Sequence, residues 1–95
     1  MTPLDGRSVL KPASDVRFRI VDREAVVVRQ RDSEVLVMSD VAARLLALAD
    51  GVRPVDAWLD VLVEEYEVDR GTLERDVLQF AAELAEQGIL EVADR

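Results

Sequence analysis

The 95-residue chain contains no cysteine and no histidine, a single lysine, three prolines and four glycines, and aromatics make up only 4% of it. Without cysteine there is no disulfide, no thiol nucleophile and no thiolate metal site. Without histidine, Ser–His and Cys–His catalytic pairs are excluded, as are the usual imidazole zinc sites. The one lysine, Lys11, sits beside Pro12, a poor place to desolvate a Schiff-base amine. No Gly-rich dinucleotide loop, Walker loop or calcium-loop pattern occurs. The longest apolar run, Leu45-Leu46-Ala47-Leu48-Ala49, is far short of a membrane span. The first fifteen residues lack the apolar core and small-residue cleavage site of a secretory signal. These absences argue for a cytoplasmic binding protein with no metal, no cofactor and no catalytic activity.

Charge is abundant but unevenly laid out. Arg7, Lys11, Arg17, Arg19, Arg23, Arg29 and Arg31 outnumber Asp5, Asp15, Asp22 and Glu24 in the first 31 residues, whereas the remainder is strongly acidic and the whole carries −8. The carboxylates scatter along helical surfaces without the spacing of a metal cage. An acidic body of this kind repels phosphate backbones and anionic membranes over most of its surface.

Residues 1–15, with Pro3, Gly6, Pro12 and Ser14, show little periodicity and predict a flexible N-terminal arm. From Val16 the chain alternates: Val16, Phe18 and Ile20 point one way, Arg17 and Arg19 the other, the mark of a half-buried strand. Asp22-Arg23-Glu24 turns into a second strand, Ala25 to Gln30, and Arg31-Asp32-Ser33 into a third, Glu34 to Met38. Connections this short force antiparallel neighbours. The period then changes to 3.6. Ser39 or Asp40 is placed to cap a helix carrying Val41, Leu45 and Leu48 on one face, ended by Gly51. Pro54 opens a second helix with Val55, Leu59, Leu62 and Tyr66 inward, and Val68-Asp69-Arg70-Gly71 breaks it. A third runs from Thr72 to Gln87 with Leu73, Val77, Phe80 and Leu84 inward and Gly88 as its stop. Ile89 to Val92 is a short apolar tail able to pack back as a strand. The expected fold is α+β: a three-stranded antiparallel meander followed by three helices, winged-helix-like, over residues 16–92.

Two features point to a binding surface. The third strand is apolar on both parities, with Val35 and Val37 on one face and Leu36 and Met38 on the other, and only Glu34 guards it. Exposed edges normally carry charges that discourage pairing. Either helices or the tail cover this strand, or its edge is left open for a peptide. The third helix has a second apolar flank, Leu78, Ala81, Ala82 and Ala85, beside its core stripe. That flank is either solvated and helix-forming, or the wall of a groove. Trp58 reads as core, and Arg17, Arg19, Arg29 and Arg31 as a basic, solvated sheet face. Two other readings fit the helices and the open strand. A winged-helix nucleic-acid binder conflicts with a third helix dominated by Asp69, Glu74, Asp76, Glu83 and Glu86. A dimerisation domain would pair the third strand with its own copy.

The order Val16-Arg17-Phe18-Arg19, valine-rich strands, Leu48-Ala49-Asp50-Gly51, Glu65-Tyr66-Glu67-Val68-Asp69, Arg75-Asp76-Val77-Leu78-Gln79-Phe80 and Gly88-Ile89-Leu90 resembles the PqqD-like peptide-recognition domains, or RiPP recognition elements, over residues 14–92. The resemblance implies a chaperone-like module that binds the leader of a ribosomally made precursor peptide. It would present that peptide to a modifying enzyme: a radical-SAM protein, a cyclodehydratase or a leader peptidase. It implies further that the leader adds as a strand to Glu34, Val35, Leu36, Val37 and Met38 and packs against Arg75, Leu78, Gln79 and Ala82.

Overall fold

A computed structural model describes residues 3–38 and 40–93. Its elements in chain order are β1 (Leu10–Pro12), β2 (Val16–Val21), β3 (Glu24–Arg29), β4 (Glu34–Met38), α1 (Asp40–Leu48), α2 (Val55–Tyr66), α3 (Arg70–Glu86) and β5 (Leu90–Val92). The meander expected from the alternation is the sheet β2-β3-β4, antiparallel throughout. Asp22 and Ser33 adopt left-handed backbone in its two turns, with φ of 57° and 56°. Short polar residues tolerate that region because their side chains bond locally.

One face of this sheet buries Val16, Ala25 and Val27 against the helices, α1 lying on β3. Leu45, Leu46, Trp58, Leu59, Leu62, Val77 and Leu84 complete a core that also takes in Leu10, Ile89 and Leu90. Trp58 is wholly buried, as the core reading required. Gly51 and Gly88 stop α1 and α3 at φ of 78° and 74°, where only glycine is unstrained. The Asp69 carboxylate caps α3 by accepting from the Thr72 N–H, so Arg70 and Gly71 belong to its first turn rather than to the break before it. Pro54 occupies the N-cap of α2, one position before the first turn. Ser39, expected as a possible cap of α1, lies outside the described residues.

The expectation of a flexible arm over residues 1–15 does not hold for its second half. β1 pairs with β5 through Leu10↔Val92, Lys11↔Glu91 and Pro12↔Leu90, and Leu10 is fully buried. The backbone carbonyls of Gly6 and Ser8 accept from the N–H groups of Asp56 and Val55. They satisfy the first-turn donors of α2 that Pro54, which makes no side-chain cap, leaves open. Three-residue strands carry no periodicity, so local pattern could not reveal this pairing.

Candidate functional site

Sheet order decides which edge is open. β4 hydrogen-bonds only β3, and the apolar tail has gone to β1, so neither tail nor helix strand-pairs with β4 among the described residues. The direction of its free groups follows from parity. The Gln30 N–H donates to the Asp15 carbonyl on the β2 side. Successive residues alternate in direction, so Arg29, Val27 and Ala25 turn their backbone groups toward β4. Their partners are Glu34, Leu36 and Met38. Val35 and Val37 therefore aim their N–H and C=O groups outward, two donors and two acceptors on an unguarded edge. Their side chains are 60% and 65% exposed on the outer sheet face, while Leu36 and Met38 are half-buried toward the helices.

A clasp holds the start of β4 near the end of α3. The Arg29 guanidinium donates to Asp32 (2.9 Å), Glu34 (2.7 Å) and the Gln87 carbonyl. Arg31 lies over Gly88, where any side chain would collide with its guanidinium. The hydrogen bond to Asp32 raises the Arg29 pKa, and the same bond lowers that of Asp32. Arg29 pairs with inward-facing Val16 and so lies on the helix side of the sheet, not on the basic outer face predicted for it; Arg17 and Arg19 remain outward. At the other end, β4 leads into α1, whose Val41 shares a cleft with Tyr66, Leu73, Asp76 and Phe80. Leu73, Asp76, Phe80 and Glu83 form the stripe of α3 on the side of this cleft.

The sequence-derived site residues divide. Glu34, Val35, Leu36, Val37 and Met38 form β4 together, with Glu34 tied into the clasp. On α3 the expected wall lies on the side away from Phe80. At about 100° per residue, Leu78 stands about 160° around the helix from Phe80. Ala82 lines a separate concavity with Leu4, Ala85 and Leu90, and Leu78 is half-buried against the core. Arg75 and Gln79 are exposed, Gln79 bordering the Asp76 and Glu83 side. The five strand residues thus lie together on the open edge, and the four helix residues lie on the side of α3 away from Phe80. Val41 and Tyr66, which periodicity placed on buried stripes, border the cleft instead. Burial, with the charges of Asp40 and Glu65, pushes the Tyr66 hydroxyl pKa up.

Comparison with known proteins gives the family and the fold. The family described as Coenzyme PQQ synthesis protein D (PqqD) matches residues 24–90. A PqqA binding protein of Rhodopseudomonas palustris strain HaA2 is 39% identical over 85 residues, 90% of this chain and 81% of that protein. Its counterpart from strain TIE-1 is 39% identical over 56 residues, 59% of this chain; the match spans about half, 55%, of that relative's length. Among solved structures, "TbiB1 in Complex with the TbiA(beta) Leader Peptide" superimposes with a TM-score of 0.78 at 28% identity, covering 85% of this chain and 94% of that one. Sequence match, three-stranded antiparallel sheet and following helices agree: the chain belongs to the PqqD family.

Proposed function

We propose that this chain binds an extended leader segment of a ribosomally made precursor peptide as an added strand on β4, and presents it to a modifying enzyme. The observation that carries the reading is the outward parity of Val35 and Val37 on an edge with no strand partner among the described residues. The names of the relatives support it, since one group is called PqqA binding proteins and the structural neighbour was solved with a leader peptide. The site comprises Glu34 to Met38 and the facing stripe of α3. The partner enzyme is of the radical-SAM, cyclodehydratase or leader-peptidase class. The chain itself is a non-catalytic recognition element working in the cytoplasm.

Energetics set what the peptide must supply. Ordering six peptide residues costs about 1–2 kcal/mol each. Four ladder bonds at the two outward residues return about 0.5–1.5 kcal/mol each, net. Pairing alone falls short, before the cost of association. Two or three apolar leader side chains, each worth about 1.5–3 kcal/mol on burial, must make up the difference. Hydrogen exchange tests the reading with PqqA as the peptide. Binding should protect the Val35 and Val37 amides selectively. Protection confined to helices, with these two amides exchanging as in the free chain, overturns strand addition. The nucleic-acid reading is disfavoured because Glu74, Asp76, Glu83 and Glu86 line α3 while Arg70 is taken by Asp60 at 2.8 Å.

A further inference from the structure

The outer face of the sheet β2-β3-β4 has no task in strand addition, yet its composition is not that of a solvated face. Register lines up Arg17, Val28 and Val35 in one cross-strand row and Arg19, Val26 and Val37 in the next. Antiparallel sheets with one wet side carry polar residues there. Here four of these six positions are valine. Val35 and Val37 are exposed, while Val26 and Val28 are half-buried without joining the core, since the helices pack on the opposite face. Strand propensity alone does not demand valine, because threonine forms strands as well and would keep the face polar. Contiguous exposed apolar groups mark interaction surfaces. Charge adds a second signal. The chain carries −8, and Arg29, Arg31, Arg44, Arg53 and Arg70 each pair with a carboxylate. Arg17 and Arg19 are exposed and pair with none among the described residues. The Arg17 guanidinium donates to the Ser14 and Val16 carbonyls, both at 3.1 Å, and so is held in place with further N–H groups free. The outward-facing carboxylate of β3, Glu24, stands at the end of the sheet opposite Val21 and forms no ion pair with Arg19.

We infer that this outer face docks the modifying enzyme, which meets the valines with an apolar patch and Arg17 and Arg19 with carboxylates at the border of that patch. The assignment rests on the reading that the chain presents a peptide to an enzyme, and it names the surface used. Charge selects the occupant. The acidic helices repel a carboxylate-bearing partner and the two free guanidinium groups attract it, which fixes one direction of approach. Position agrees, because Val35 and Val37 belong both to this face and to the open edge. An enzyme resting on the face therefore lies against a strand added there. A second copy stacked face to face would bring unpaired cations together. The valine patch, on the order of 200 Å² from strand spacing and rise, is also far below the about 800 Å² per partner of a stable dimer. A phosphate backbone or an anionic membrane needs more than two cations on a chain of this net charge. So small a patch suits the transient contact that delivery requires, with the bound peptide as a second link to the enzyme.

The probe is the peptide-modifying enzyme encoded next to this chain, titrated at low salt into the isotope-labelled chain with and without PqqA. Signal loss should centre on Arg17, Arg19, Val26 and Val28. In calorimetry Arg17→Glu with Arg19→Glu should weaken enzyme binding about tenfold or more, and added salt should weaken the wild type. Val26→Thr with Val28→Thr, which keeps strand propensity, should weaken it about threefold or more. Both double variants should keep PqqA affinity within about twofold and melt within a few degrees of wild type. If the arginine reversals unfold the chain, the threonine pair decides. Signal loss centred on α3 or on the β1–β5 ribbon, or undiminished enzyme affinity in the folded variants, overturns the docking face and leaves presentation standing. Wild type that binds no enzyme, with or without PqqA, removes presentation and the face with it. A dimer in light scattering, or retention on phosphatidylglycerol vesicles, that the arginine reversals abolish gives the face to a second copy or to a membrane and equally overturns the inference.

Discussion

Replacing Val37 by proline separates binding from folding at one atom. The Val37 N–H points away from β3, so proline removes no bond of the existing ladder. Proline is tolerated on edge strands in just this orientation. The lost side chain is 65% exposed and contributes little burial. Stability should therefore change by less than about 1 kcal/mol. A peptide strand on the same edge loses the donor for one of its carbonyls, which is left unsatisfied as the site closes. That costs about 1–3 kcal/mol, or about 5–150-fold in Kd. Leu36→Pro is the control of opposite parity: its N–H faces β3, the side chain is half-buried, and the variant should lose about 3 kcal/mol or more of stability. Calorimetry with PqqA and urea unfolding measure the two quantities independently. Undiminished binding in Val37→Pro, or unfolding comparable to Leu36→Pro, would refute the parity argument on which the site is built.

Leu78→Glu tests which flank of α3 meets the peptide: it should cost about 1–2 kcal/mol in urea unfolding, yet leave PqqA affinity within about twofold. A tenfold binding loss in a well-folded variant would return the wall to Leu78 and Ala82. Arg29→Met should lower the melting temperature and weaken PqqA binding together, since it frees β4 from the Gln87 end of α3; binding unchanged in a loosened protein would mean the clasp does not set the groove. Hydrogen bonds hold the Asp32 and Asp50 pKa values below the ordinary aspartate range, from Arg29 for the first and from the Arg53 and Val52 N–H groups for the second. Their contribution is complete above the unfolded pKa and is lost as pH falls through the folded one. Thermal melts should accordingly be flat from pH 7 to 5 and decline below about pH 4, and Asp32→Asn should flatten part of that decline. Trp58→Ala, at a fully buried position, should cost about 3–5 kcal/mol in urea unfolding.

Local pattern carried a large part of this protein. The alternation from Val16 to Met38 and the switch to helical period after Asp40 dictate the order of strands and helices, because each depends only on side chains two or four residues apart. The same pattern exposed the unguarded strand, since a charge-poor run with two apolar parities is visible in five letters, Glu34 to Met38. It misplaced Arg29, whose face is set by its partner Val16 rather than by its own neighbours.

The sequence by itself determined the meander, the three helices, their order and the strand left without guards. Only the tertiary structure decided that the tail would pair with residues 10–12 instead of β4, that α3 would put Phe80 and Asp76 in one concavity and Ala82 in another, and that Val41 and Tyr66 would border an unfilled cleft. The physical reason is the range of the forces. Periodicity records how a segment divides its own apolar and polar faces, whereas which partner covers a face depends on contacts between residues far apart in the chain.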